Sequence, residues 1–162
     1  MWARRFAWAF LAGAAVAAAP APARADGGPF GLGIILGEPT GLSAKLFLSG
    51  QHAVDGALSY SLVDSALYLH ADYLLHFSGW ILRAGSTHHL LPYLGIGGEI
   101  AVRGDHEHHN GGGGIGVRVP FGLAWIPGHL PIDIFLEIAP GLFLLPATDP
   151  DLDAGLGLRY FF

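Results

Sequence analysis

From residue 30 onward, apolar residues alternate with small, polar or charged ones at a period of two, and they do so in eight successive segments. The clearest is 66–77, where Leu67, Leu69, Ala71, Tyr73, Leu75 and Phe77 share one side and Tyr68, His70, Asp72, Leu74 and His76 the other. Successive side chains of a β-strand point to opposite faces, whereas a helix repeats every 3.6 residues. The chain is therefore expected to be all-β, built from two-faced strands.

The remaining segments are 30–36, 41–48, 53–62, 91–103, 115–126, 132–144 and 152–162. Turn residues separate them: Gly37, Glu38, Pro39 and Thr40 after the first, Val63, Asp64 and Ser65 after the third, and Pro127, Gly128 and Pro131 after the sixth. Glycine and proline supply the backbone angles that chain reversal needs. Residues 104–114 and 147–151 read as loops, and 78–90 reads as an irregular connection. Pro120 and Pro140 fall inside predicted strands, and since proline removes a ladder hydrogen bond, a local bulge is expected at each.

Period two does not say which face is inside. Composition bears on that choice, because 52% of residues are hydrophobic and 13% charged, against about 25% charged in ordinary soluble domains. Beyond the amino terminus no apolar run reaches the roughly 20 residues of a membrane-spanning helix. The polar face carries Lys45, Arg118 and Arg159, the acids Asp55, Asp72, Glu99, Asp133, Glu137 and Asp153, and otherwise mostly Gly, Ala, Ser and aromatics. A surface exposed to water carries many more charges, while a narrow interior wants few, of both signs, with small residues beside large ones. The expected architecture is an eight-stranded antiparallel up-and-down transmembrane β-barrel, with its apolar face outward. Consecutive hairpins place Arg118 and Arg159 on either side of Glu137 with Glu99 beside Arg118, and put Lys45, Asp55 and Asp72 in a second row of an ion-pair ladder.

Residues 1–25 carry Arg4 and Arg5, an apolar run over 6–19, and small residues at Ala23 and Ala25. They are expected to be a cleavable signal peptide, leaving a barrel domain at 26–162. Without Arg4, Arg5 and Arg24, five basic residues remain against thirteen acidic ones, a formal charge of −8. That balance argues against nucleic acid as a partner. The chain has no cysteine, so backbone pairing and packing alone must hold the fold.

Three patterns invite a chemical reading. Asp105, His106, Glu107, His108 and His109 form the densest group of possible metal ligands, but they lack the HExxH spacing and precede four glycines, so the reading is a flexible polar loop with adventitious metal affinity. Gly111, Gly112, Gly113 and Gly114 lack the Lys-Ser/Thr of a phosphate loop. Ser59, Ser61, His70 and His76 share the polar face near Asp72, a grouping that nucleophilic catalysis could use; since a plugged eight-stranded interior offers little substrate access, the reading is polar packing. No cofactor or catalytic residue is assigned, and the chain is not expected to be an enzyme.

The eight alternating segments, the signal peptide, and Gly157, Tyr160 and Phe162 at the end together resemble the OmpA-like and OmpX-like class of eight-stranded outer-membrane barrels, most nearly its short-looped, uncharacterised families. Where that class has a polar residue two before the glycine, this chain has Gly155. The resemblance implies a monomer in the cell outer membrane of Gram-negative bacteria, in contact with outer-membrane lipids. It also implies assembly by the barrel insertion machinery through Gly157, Tyr160 and Phe162, and both termini in the periplasm. Phe30, Phe77, Trp125 and Phe162 would then form an inner aromatic girdle, with Glu38, Asp64, Asp105, Glu107, Asp149 and Asp151 on the external turns. A structural or surface-binding barrel with a plugged, charged lumen is expected, with no extracellular ligand indicated. The alternatives are a lipid-modifying outer-membrane enzyme and a soluble, periplasmic, lipocalin-like barrel.

Overall fold

The computed structural model describes residues 27–77, 82–83, 88–103 and 113–162. The strands are β1 (Phe30–Glu38), β2 (Thr40–Phe47), β3 (His52–Ser61), β4 (Ala66–His76), β5 (Leu82–Arg83), β6 (His88–Arg103), β7 (Gly113–Arg118), β8 (Phe121–Pro127), β9 (Ile132–Leu145) and β10 (Asp149–Phe161). All pair antiparallel with their neighbours, and β10 returns to β1, from Gly31 opposite Phe161 to Glu38 opposite Ala154. β7 and β8 both lie between β6 and β9 and act as one strand interrupted at Val119 and Pro120. β5 pairs with His89 and Leu90, past the end of β4. Eight strands thus enclose one interior, in a closed barrel without a free edge.

One mouth of the barrel gathers the start of β1 and the end of β10, and is called basal below; the opposite mouth, with Glu38, Thr40, Ala66, Arg103 and Asp149, is distal. Among the described residues, the distal connections are short: Pro39, residues 62–65 and residues 146–148. The predicted signal peptide at 1–25 lies outside the described residues. So does 104–112, with His106, His108 and His109.

Three expectations need correction. Residues 78–90 are not wholly irregular, since Leu82–Arg83 is β5 and β6 begins at His88. Near the basal mouth the barrel interior is itself apolar, with Leu91, Ala124 and Phe161 buried, so both sides of the strand carry apolar residues there and the alternation vanishes. The loop over 104–114 gives its last two glycines to β7, and Asp149, Pro150 and Asp151 of the loop at 147–151 are already in β10.

The third correction concerns the prolines, which make no bulge. Arg118 is opposite Gly97 and Phe121 opposite Leu94, so no residue is gained or lost across Pro120. β9 and β10 step evenly through Pro140 opposite Leu152. A hydrogen-bonded antiparallel pair exchanges two bonds, and each proline forfeits only one. Pro120 O still accepts from Gly95 N at 2.8 Å, and Pro140 O from Val119 N at 2.9 Å. The register shift lies instead at Ile115 and Gly116, which face Leu145 and Phe143 of β9.

Burial settles which face is inside. Leu32, Ile34, Leu58, Leu69, Leu136, Leu156 and Leu158 are exposed, whereas Lys45, Asp133, Arg118 and Arg159 are buried to 2% exposure or less. The arrangement is the inverse of a lipocalin. Two apolar clusters complete the interior, one containing Phe47, Leu74, Tyr93, Phe135 and Phe161, the other Ala66, Tyr68, Ala101 and Phe143 near the distal mouth.

A closed barrel leaves no edge amides to exchange early. Amide hydrogen exchange should therefore protect the middle of β1 and β10 as strongly as that of β3 and β4. Fast exchange confined to facing amides of β1 and β10 would show an open sheet.

Candidate functional site

The interior is organised by two arginines. Arg118, the last residue of β7, points inward because its neighbours Val117 and Val119 take the exterior. Its Nη2 donates to Glu137 Oε1 of β9 at 2.8 Å, and its Nη1 donates to Asp153 Oδ2 of β10 at 2.8 Å. The same Nη1 lies 2.7 Å from His70 Nδ1 of β4, and Nε lies 3.3 Å from Asp72 Oδ2 on that strand. A guanidinium is always charged and can only donate, so His70 accepts through Nδ1. Tyr93 of β6 donates its hydroxyl to Glu137 Oε2 at 2.8 Å. One cation thereby links five strands around the lumen.

Arg159 of β10 makes the second hub. Its Nη2 donates to Asp55 Oδ2 of β3 at 2.8 Å, Nε and Nη2 both reach Ser43 Oγ of β2, at 3.0 and 2.8 Å, and Nη1 lies 3.9 Å from Asp133 Oδ2. The guanidinium stacks on Phe135, 3.8 Å from its centroid, using the planar face that a lysine lacks. Phe135 in turn lies over Gly157, where any Cβ would overlap the ring. Lys45 Nζ sits 3.6 Å from Asp133 Oδ2 and about 5 Å from the ring centroids of Phe47 and Tyr93.

All seven residues expected in the ladder, Lys45, Asp55, Asp72, Glu99, Arg118, Glu137 and Arg159, are buried inside, but the pairing differs from the expected rows. Arg159 does not pair with Glu137. Glu137 is opposite Gly155, while Arg159 stands directly opposite Asp133. Lys45, Asp55 and Asp72 do stand in line across β2, β3 and β4, yet each takes its ion-pair partner across the lumen, where side chains from non-adjacent strands meet. Glu99 has no ion pair with Arg118 and converges on Asp151 and Asp153 instead. Asp133, Asp153, Ser43 and Tyr93 complete the hubs. The two acids lie on the polar face of the sequence, but their partners depend on strand register.

The serine and histidine group does not assemble into a hydrogen-bonded pair. Ser59 Oγ is buried without a hydrogen-bond partner, His70 Nδ1 is engaged by Arg118, and Ser61 Oγ accepts from Asp64 N at 2.9 Å. His76 Nδ1 lies 3.3 Å from Gln51 O. Beside Arg118, a cavity lined by Ser59, His70, Glu137 and Asp153 measures about 10 Å³, barely room for one water. A larger cavity of about 320 Å³ opens at the basal mouth among Leu91, Ile126, Pro131, Ile132 and Phe161, with Asp133 also lining it.

These features define an antiparallel eight-stranded barrel with an apolar exterior and a charged, arginine-centred interior. No protein-family model matches the chain, and no curated protein does. Among solved structures, the N-terminal β-barrel domain of Pseudomonas aeruginosa OprF is similar, with a TM-score of 0.61 and 13% sequence identity over 82% of this chain and 96% of that one. At that identity the likeness is one of fold, an antiparallel β-barrel.

Breaking a buried pair leaves a stranded charge, at a cost of about 3 to 5 kcal/mol. Glu137→Ala should lower the unfolding free energy from urea titration by about 3 to 5 kcal/mol, and the midpoint with it, because it strips partners from both Arg118 and Tyr93. Glu38→Ala, at a distal turn, should change the midpoint little. Equal midpoints for the two variants would refute the Arg118 hub.

Proposed function

We propose that this chain is an integral barrel of the bacterial outer membrane, monomeric and spanning the bilayer with eight strands. Its arginine network plugs the lumen, so its role is structural or surface-binding rather than that of a diffusion pore, and no catalytic role is assigned. The observation that carries the reading is where charge lies on the exterior. Among the described residues outside β5, the exposed charged side chains are Asp64, Arg103 and Asp149, all at the distal mouth, where half-buried Glu38 and Asp151 also lie. Below that rim the exposed side chains of the described strands are mainly Leu, Ile, Val, Phe and Tyr, with Ala71, Pro140 and Ala154 among them. Monomers in water rarely expose an apolar patch beyond a few hundred Å², and in hydrocarbon only helices and closed barrels satisfy their backbone.

Other features support the same reading. β4 runs 11 residues with strict alternation of burial, about the length a tilted strand needs to cross a bilayer. Phe30, Phe77 and Phe162 are exposed around the basal mouth and Trp125 is half-buried there, as an interfacial girdle requires. An acidic distal rim would then face outside the cell. Of the proposed insertion signal, Tyr160 and Phe162 point outward with rings packed edge to face at 5.0 Å, open to the insertion machinery and to outer-membrane lipids, while Gly157 points inward beneath Phe135.

The protein should fractionate with outer membranes and migrate on detergent gels at two positions, before and after boiling. Leu136→Arg, near mid-height on the exterior, should cost about 2 to 4 kcal/mol of folding free energy in lipid bilayers, while Asp149→Arg at the rim should fold as wild type does. Recovery in the soluble periplasmic fraction, or indifference of folding to Leu136→Arg, would overturn the membrane reading.

A further inference from the structure

The lumen holds more negative charge than it pairs. Among the described residues outside β5, the buried cations are Lys45, Arg118 and Arg159, and the buried acids are Asp55, Asp72, Glu99, Asp133, Glu137 and Asp153. Lys45 and Arg159 serve Asp133 and Asp55, while Arg118 serves Asp72, Glu137 and Asp153. No cation among the described residues comes within 4 Å of Glu99. That carboxylate is 2% exposed, and its Oε1 has no hydrogen-bond partner. A buried ion without counter-charge or donors is expensive.

Glu99 is aimed at two more carboxylates. From β6 it extends past β7 and β9 towards the start of β10, where one oxygen each of Glu99, Asp151 and Asp153 lie within 4.8 Å of one another. The path is open because β7 and β9 carry Gly116 and Gly141 there. A Cβ added at either would stand 2.9 or 2.6 Å from Glu99 Oε1. Asp151 Oδ2 is likewise buried without a hydrogen-bond partner, and Asp153 is held by Arg118 Nη1 through Oδ2.

We propose that Glu99, Asp151 and Asp153 form a binding site for a hard divalent cation, calcium foremost, at the distal end of the lumen. The donors are all carboxylate oxygens, which suit calcium, magnesium or manganese rather than thiolate- or imidazole-seeking metals. Calcium accepts six to eight oxygens in flexible geometry and takes carboxylates singly or in pairs, whereas magnesium demands a near-ideal octahedron. The cation supplies the positive charge that the three cationic side chains leave wanting. It also ties β6 to the start of β10, and Asp153 connects it to the Arg118 hub. His70, Asp72 and Glu137 converge in the same way, but there Arg118 is itself the cation. The inference goes beyond the membrane reading and rests on the interior alone.

The test uses the purified full-length protein in detergent micelles, stripped with a chelator and titrated with calcium chloride by calorimetry at constant ionic strength. Thermal unfolding is followed in parallel. One calcium per barrel and a raised unfolding temperature are expected, with magnesium binding more weakly. Glu99→Gln and Asp151→Asn should each weaken calcium binding at least tenfold while keeping the folded, heat-modifiable gel band, and Asp64→Asn on the exposed turn should bind as wild type does. Three results would overturn the site: no calcium uptake at millimolar concentration, wild-type affinity in Glu99→Gln and Asp151→Asn, or a barrel that gains stability on acidification from pH 7 to pH 5 and nothing from calcium, which would mean that protons balance the charge.

Discussion

The interior depends on Arg118 being charged at every accessible pH and having nowhere to put that charge except against protein. Buried to 1% exposure, it spreads its donors over Glu137, Asp153 and His70, and comes close to Asp72. The partners stand on three strands, Glu137 on β9, Asp153 on β10, and His70 and Asp72 on β4. The same interaction that satisfies the cation therefore fixes the relative height of four strands, and Tyr93 brings in a fifth through Glu137. Such networks do not guarantee net stability over an apolar core. Here their alternative is limited, because most of the large apolar residues are committed to the outside.

That commitment follows from closure. In a closed antiparallel barrel the two faces of every strand meet two different surroundings, and a side chain moves between them only by a slip of one residue. Arg159 and Tyr160, adjacent in sequence, show the contrast: the first stacks on Phe135 in the interior, the second packs on Phe162 outside. Small residues make the narrow interior workable. Gly157 lies beneath Phe135, and Gly116 and Gly141 leave the space that Glu99 occupies.

Much of this was legible in the sequence. The strands at 66–77 and 132–144 match β4 and β9 to within a residue at each end, because an apolar residue recurs at nearly every second position along them, with the charges confined to the positions between. Lys45, Asp55, Asp72, Glu99, Arg118, Glu137 and Arg159 could be assigned to one face for the same reason. The start of β6 could not be found at His88, since near the basal mouth the interior is also apolar and Leu90 and Leu91 give no alternation. Pro120 and Pro140 read as interruptions, but a proline that still accepts through its carbonyl costs one bond and leaves the register intact.

What the sequence by itself determined was periodicity: eight two-faced strands, with few charges gathered on one face. Only the tertiary structure decided partners. Arg159 meets Asp133 and Asp55 instead of Glu137, and Glu99 meets Asp151 and Asp153 instead of Arg118, because pairing is set by strand register and by which walls face each other across the lumen. Those distances belong to the closed ring and are written in no single segment. A period of two is the same whether the apolar side turns in or out; the sparse charge of the other face pointed to the interior, and the burial of Lys45, Arg118 and Arg159 in the closed ring places it there.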